Sequence, residues 1–304
     1  MARSANGEWR VEFDAEVTFR NGGRLQAEAF RLDIPGEEIS DGDLAALFVR
    51  HLGLLMTDQV RIANKRLIRE PHKGSRGSPG PTPEGRRLVP LSHVIRDGMV
   101  TYPGLPGPTI TDHIAREASR ASYSDGTEFQ IGLITMVSNT GTYLDSPFHR
   151  FAGGVDLAAM ELETVADLPG IVVRVAGEGI RAIDRNLLLA HEVRGRAVLL
   201  HTGWDRHWGT EEYGGDSPFL TREGASWLVE RGAALVGIDS INIDDLRDRS
   251  RPAHTVLLGA GIPIVEHMCG LDQLPPHGFR FHAAPAPIQG MGTFPVRAYA
   301  VIDG

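Results

Sequence analysis

The chain has 304 residues, 41% of them hydrophobic, enough for one large core or one core with an appended unit. Its 31 Lys and Arg against 39 Asp and Glu give a net charge of -8, and no basic cluster survives that balance, which excludes nucleic acid as the expected partner. The single cysteine, Cys269, rules out an internal disulfide and fits a reducing cytoplasm. No run approaches the roughly 18 apolar residues that span a bilayer, and residues 1–9 lack the apolar stretch of a signal peptide.

Trp9, Val11, Phe13, Ala15, Val17 and Phe19 alternate with polar residues, which predicts a strand with one wet face. Asn21-Gly22-Gly23 supplies the positive-φ residues of a tight hairpin. The return strand, residues 24–34, slips its apolar phase between Ala29 and Phe30, the mark of a bulge. Ser40 with Asp43 resembles a capping box ahead of Leu44, Leu47, Phe48 and Leu52 at helical spacing. Another strand is expected over residues 59–68. Residues 1–70 thus read as a small ββαβ unit, and the Gly/Pro-rich residues 71–87 as a linker.

From residue 88 to 304 the pattern predicts an α/β domain, a mixed central sheet with flanking helices. Strands are expected over residues 131–137, 171–175, 197–202, 234–238, 262–265, 279–283 and 296–302. Helices are expected over 185–190 and over 221–231, where Thr221 stands as N-cap and Gly232 as stop. Gly290-Met291-Gly292 lacks the Lys and helix of a phosphate loop and reads as a turn between strands.

The chemistry concentrates in Asn139-Thr-Gly141-Thr142-Tyr143-Leu-Asp145-Ser-Pro147-Phe-His149-Arg150. A carboxylate and an imidazole four residues apart in such a turn suit a metal-water site or an acid/base pair. A structural reading stands beside each: Asp145 as a turn cap, His149 as a satisfied histidine, Tyr143 as a pocket wall. His113, His267, His277 and His282 read as structural or exposed. Trp204, Trp208 and Tyr213 lie in a Gly-rich loop that could line an aromatic-accepting pocket or cover the sheet.

This segment resembles the His-x-Gly-Thr-His-x-Asp-x-Pro-x-His signature of the cyclase family of metal-dependent hydrolases, which includes bacterial kynurenine formamidases and isatin hydrolase. Asn139 and Tyr143 stand where the signature has histidines. Leu91-Ser92-His93, Tyr102-Pro103-Gly104, His201-Thr202-Gly203-Trp204, Gly237-Ile238-Asp239-Ser240 and the segment from His254 to Glu266 continue the likeness over about residues 88–303. The resemblance implies a swivelling β/β/α fold and hydrolysis of an amide, formamide, lactam or lactone bond of a small carbonyl compound. It implies a divalent ion, zinc or manganese, at Asp145, His254 and Glu266, with Asn139 at a replaced ligand position. His149 would be the acid/base, Tyr143 a donor to the oxyanion, and Asn139, Arg150, Trp204 and Tyr213 substrate contacts. An Asn amide oxygen and a neutral Tyr are weak ligands. A metal-free cyclase, lyase or isomerase using Asp145, His149 and Tyr143 therefore stays open, as does a ligand-binding scaffold without catalysis. The resemblance further implies a homodimer or tetramer.

Overall fold

The computed structural model describes residues 9–34, 36–69, 85–177 and 179–303. The chain divides into two compact units, within residues 1–80 and 81–304.

In the first unit, β1 (Trp9–Phe19), β2 (Arg24–Ile34) and β3 (Thr57–Arg69) form an antiparallel sheet ordered β2-β1-β3, with α1 (Asp41–His51) against it. The alternating Val11, Phe13, Ala15 and Val17 are buried with Leu44 and Phe48 of α1. Ser40 caps α1, accepting the Asp43 N–H at 3.1 Å. The bulge lies at Glu28 and Ala29, which together oppose Asp14; Ala29 sits at φ 48°, and its N–H reaches the Asp14 carboxylate at 2.8 Å. Most of the expected linker, residues 71–84, lies outside the described residues, and Arg86 and Arg87 already belong to a strand.

The second unit begins with β4 (Arg86–Pro90), β5 (Thr109–Ile114), α2 (Arg116–Ser119), β6 (Ile131–Thr135) and β7 (Tyr143–Asp145). It continues through β8 (Leu168–Arg174), β9 (Ala182–Ile183), α3 (Arg185–Leu188), β10 (Ala197–His201), β11 (Phe219–Leu220) and α4 (Arg222–Arg231). The last elements are β12 (Leu235–Ile238), α5 (Pro252–Gly259), β13 (Ile264–Glu266), β14 (His277–His282), β15 (Thr293–Pro295) and β16 (Tyr299–Asp303). Nine strands form one sheet ordered β15-β7-β13-β12-β10-β8-β14-β16-β4. Its centre, β8, β10, β12 and β13, is parallel, and every pairing outside that centre is antiparallel.

The parallel strands read as continuous apolar runs because both faces are covered. One face packs Val173, Val198, Leu200, Val236 and Ile264 under α3, α4 and α5. The other packs Leu144, Val172, Leu199, Val265 and Phe281. The strand expected over 131–137 is present as β6, but among the described residues it pairs only with β5, in a two-stranded ribbon outside the main sheet rather than within it. Its Ile131, Leu133 and Ile134 are exposed, so an apolar run here marks a surface rather than a core strand. Among the described residues, no helix is long and apolar enough to cross a membrane.

Candidate active site

Strand register assembles the site. On β7, Tyr143 and Asp145 are two apart and share a face. Glu266 of β13 is directly opposite Tyr143, and Thr293 of β15 directly opposite Asp145. Four polar side chains thus meet on the face that α5 covers, where directly paired side chains touch. The Pro147–His149 turn then folds His149 back, its Nδ1 lying 3.6 Å from the Asp145 Oδ1. His254, on the first turn of α5, completes the group: its Nε2 lies 3.6 Å from Asp145 Oδ2 and 3.7 Å from Glu266 Oε1.

Hydrogen bonds settle the proton positions. Asp244 accepts His254 Nδ1–H at 2.6 Å, and accepts the Ala253 and His254 backbone N–H groups at 2.5 and 3.2 Å. A carboxylate only accepts, so Nδ1 carries the proton and, in the neutral ring, Nε2 is left with a lone pair facing the site. The Thr293 hydroxyl donates to Asp145 Oδ1 and lies 2.7 Å from His149 Nδ1. With its one proton spent on the carboxylate, it accepts from His149 Nδ1–H, which leaves Nε2 as the ring nitrogen not engaged by Thr293.

Behind the site runs a buried relay. Tyr143 donates to Glu266 Oε2 at 2.8 Å, and its oxygen meets His267 Nε2 at 3.1 Å. Tyr213 reaches His267 Nδ1 at 2.9 Å. Burial lowers His267 to a pKa of about 3, with His93 adding to the effect, so the ring is neutral. Tyr143's proton is committed to Glu266; His267 therefore donates through Nε2 and accepts from Tyr213 at Nδ1. The backbone N–H of Ile243 holds the other Glu266 oxygen at 2.6 Å.

Burial pushes Glu266 up to about 7, against the pull of His254. Burial would lower His254, but Glu266, Asp145 and Asp244 together raise it to about 10. Burial would likewise raise Asp145, yet His254, His149 and Thr293 hold it below its usual range. Burial and the adjacent Glu266 and Asp145 keep the Tyr143 phenol well above its ordinary value, and so protonated.

Asp145, His149 and His254 each offer one ligand atom within 4.8 Å of the others. The completely buried Asp145 Oδ2 has no hydrogen-bond partner among the described residues, a state that is costly for a carboxylate unless a cation completes it. The donor set therefore fits a divalent ion. Compared with the expected ligands, this set has His149 in place of Glu266, whose two oxygens are engaged by Ile243 and Tyr143.

The site opens into a cavity of about 330 Å³ that Asn139, Tyr143, His149, Arg150, His254 and Glu266 line, with Tyr102, Leu105, Asn242 and Arg251. Two expected substrate contacts are corrections. Trp204 is absent from the lining, since its indole N–H is turned to the Tyr213 carbonyl at 3.0 Å. Tyr213 is buried behind Tyr143, in the relay. Sequence reading missed Asp244, Thr293, Asn242 and Arg251. Only Thr293 had a nearby signal, the Gly290–Gly292 turn, whose Gly292 packs directly on the His149 backbone.

The Cyclase family model matches residues 89–245, just over half of the chain. The chain belongs to the Cyclase family. A kynurenine formamidase of Bacillus cereus is 27% identical over 211 residues, covering 69% of this chain and 95% of that relative. A kynurenine formamidase of Geobacillus thermodenitrificans is 29% identical over 182 residues, 59% of this chain and 84% of its own length. Among solved structures, isatin hydrolase A of Labrenzia aggregata, bound to benzyl benzoate, is 21% identical, with a TM-score of 0.64 over 72% of this chain and 95% of that one. That likeness establishes the cyclase-family architecture of residues that follow the first unit. Asn139 and Tyr143 occupy the altered positions of the signature, and Tyr143 is the residue that ties Glu266 to the His267 relay.

Proposed function

We propose that this cyclase-family chain is a hydrolase of a small amide, formamide or lactam, with a divalent ion, zinc or manganese, held by Asp145, His149 and His254. The observation that carries this reading is the orphaned Asp145 Oδ2, buried 3.6 Å from His254 Nε2. Formamide hydrolysis by aligned relatives supports the reaction class. When bound, such an ion polarises a carbonyl and lowers the pKa of water from about 16 towards about 7.

The chain's own residues do the rest. Asp244 fixes His254 in the tautomer that presents Nε2. Thr293 aligns Asp145 and His149 together. With His149 counted among the ligands, its Nε2 is not also a base; in a metal-free site that atom would be free to take a proton from water and return it to the leaving nitrogen. Tyr143 is not the oxyanion donor expected of it, because its proton goes to Glu266. The Asn242 amide fills that role: its Oδ1 accepts the Asp244 N–H at 3.0 Å, leaving its NH₂ for the cavity.

The test is hydrolysis of formanilide and of a five-membered aryl lactam after chelation, then after zinc or manganese is restored. Loss of at least 100-fold on chelation and recovery with either ion is expected. Turnover indifferent to chelation refutes the metal reading and favours acid/base chemistry by Asp145 and His149.

A further inference from the structure

Arg150 and Arg251 both line the cavity, and neither forms an ion pair among the described residues. Each is nonetheless held in place. Arg150 donates through Nε to the Thr255 hydroxyl at 3.3 Å and lies over the Phe151 ring at 5.3 Å. That leaves the four N–H bonds of its terminal fork without a protein acceptor among the described residues. Arg251 donates from Nη1 to the Asp245 carbonyl at 3.2 Å and from Nη2 towards the Tyr102 hydroxyl at 3.5 Å. Its backbone sits at φ 49°, a left-handed conformation that a residue with a side chain rarely adopts without cause.

The two are joined through α5: the Thr255 that anchors Arg150 donates its N–H to the Arg251 carbonyl at 2.9 Å. One helical turn therefore places two unneutralised guanidinium groups on the wall of the same cavity. The carboxylates in that cavity, Asp145 and Glu266, face His254 rather than either arginine. A planar guanidinium fork recognises a carboxylate with two parallel hydrogen bonds.

We propose that Arg150 and Arg251, with the Tyr102 hydroxyl, form an anion subsite, so that the substrate is an aryl or alkyl amide carrying a carboxylate away from the bond that breaks. This rests on the hydrolase reading for the word substrate, though the subsite itself does not. The carboxylate would make the chain select against neutral amides of the same shape, and would leave the reacting carbonyl at the Asp145–His254 end.

Two measurements separate the ideas. In the first, kcat/KM is compared for 3-formamidobenzoate and formanilide in the native protein and in Arg251→Met, Arg150→Met and Arg251→Lys. Each methionine variant should lower the ratio of anionic to neutral substrate about tenfold or more, the loss of one charge-assisted hydrogen bond. Arg251→Lys should fall between. In the second, calorimetry compares benzenesulfonate, a poor metal ligand, with methyl phenyl sulfone. The sulfonate should bind at least tenfold more tightly to the native protein, and the preference should fade with salt.

A ratio unchanged in both methionine variants, or equal binding of sulfonate and sulfone by the native protein, overturns the subsite. If Arg251→Met does not fold, Arg150→Met and the native binding comparison still decide. If no formamide is turned over but the sulfonate preference is present and lost in Arg150→Met, the hydrolase reading falls and the subsite stands.

Discussion

Gly292→Ala tests whether the backbone places His149. A Cβ at residue 292 would stand 2.3 Å from the His149 nitrogen, 2.5 Å from its Cα and 2.8 Å from the Phe148 carbonyl carbon. Ordinary contact begins at 3.4 Å, so the turn and β15 must part by about 1 Å, and because both sides are backbone no rotamer change relieves the clash. The 2.7 Å bond between Thr293 and His149 Nδ1 would open past hydrogen-bonding distance. A misplacement of about 1 Å can cost about 100-fold in rate, or about 2.7 kcal/mol of transition-state stabilisation. The expected outcome is a 100-fold lower kcat on an aryl formamide, with the fold kept but destabilised by about 1–3 kcal/mol. Gly153→Ala is the control, since a Cβ there meets nothing within 4 Å. Circular dichroism and thermal melting establish that each variant is folded before kinetics are compared. Activity within threefold of the native protein in folded Gly292→Ala, or equal damage from Gly153→Ala, refutes the reasoning.

Three more expectations follow from the same geometry. Asp244→Asn puts an amide where His254 Nδ1–H needs an acceptor; divalent-ion affinity, read by competition with a chromogenic chelator, should fall about 10- to 100-fold, and unchanged affinity would remove Asp244 from the orienting role. Tyr143→Phe strands Glu266 Oε2 and His267 Nε2 in the interior, so urea melts should show a loss of about 1–3 kcal/mol; a stability equal to native would mean that the relay is not formed. The Arg181 fork holds Asp245 below its ordinary pKa of 3.8. A depressed pKa means that the folded state binds fewer protons, so this contribution is present above pH 4 and lost on further acidification. The gap in melting temperature between native protein and Asp245→Asn should therefore be widest near neutrality and close as the pH falls below about 4; a gap independent of pH contradicts the assignment.

The first unit was legible because its signals are local. Period-two burial in residues 9–19, the Asn21–Gly23 turn, the slip at Ala29 and the Ser40 cap each act within a few residues, and each appears in the structure. The same holds for α4 between Thr221 and Gly232, the latter at φ 75°. The family, and with it the fold, was recognisable through the resemblance of residues 139–149 to the family signature. The site was legible only in part. Asp145, His149, His254 and Glu266 carry familiar chemistry, whereas Asp244 and Thr293 act through partners 10 to 148 residues away, and nothing local announces an acceptor whose donor is supplied by topology. Residues 131–137 do form a strand, at Ile131–Thr135, but an apolar run reads alike in a core strand and in an exposed ribbon, so its place outside the main sheet was not legible. Trp204 misled because an aromatic near a predicted strand end says nothing of where its N–H turns.

Asp244 does two jobs with one carboxylate, receiving the opening amides of α5 and the imidazole that the helix carries into the site. Fraying of that first turn would release the ring from its fixed tautomer, so the opening equilibrium of the helix and the occupancy of the pocket are thermodynamically linked. The isotope-exchange rates of the Ala253 and His254 amides thus become a spectator of the chemistry: any occupant that leans on His254 should slow deuterium uptake at those two positions, giving a readout of binding that needs neither turnover nor a chromophore.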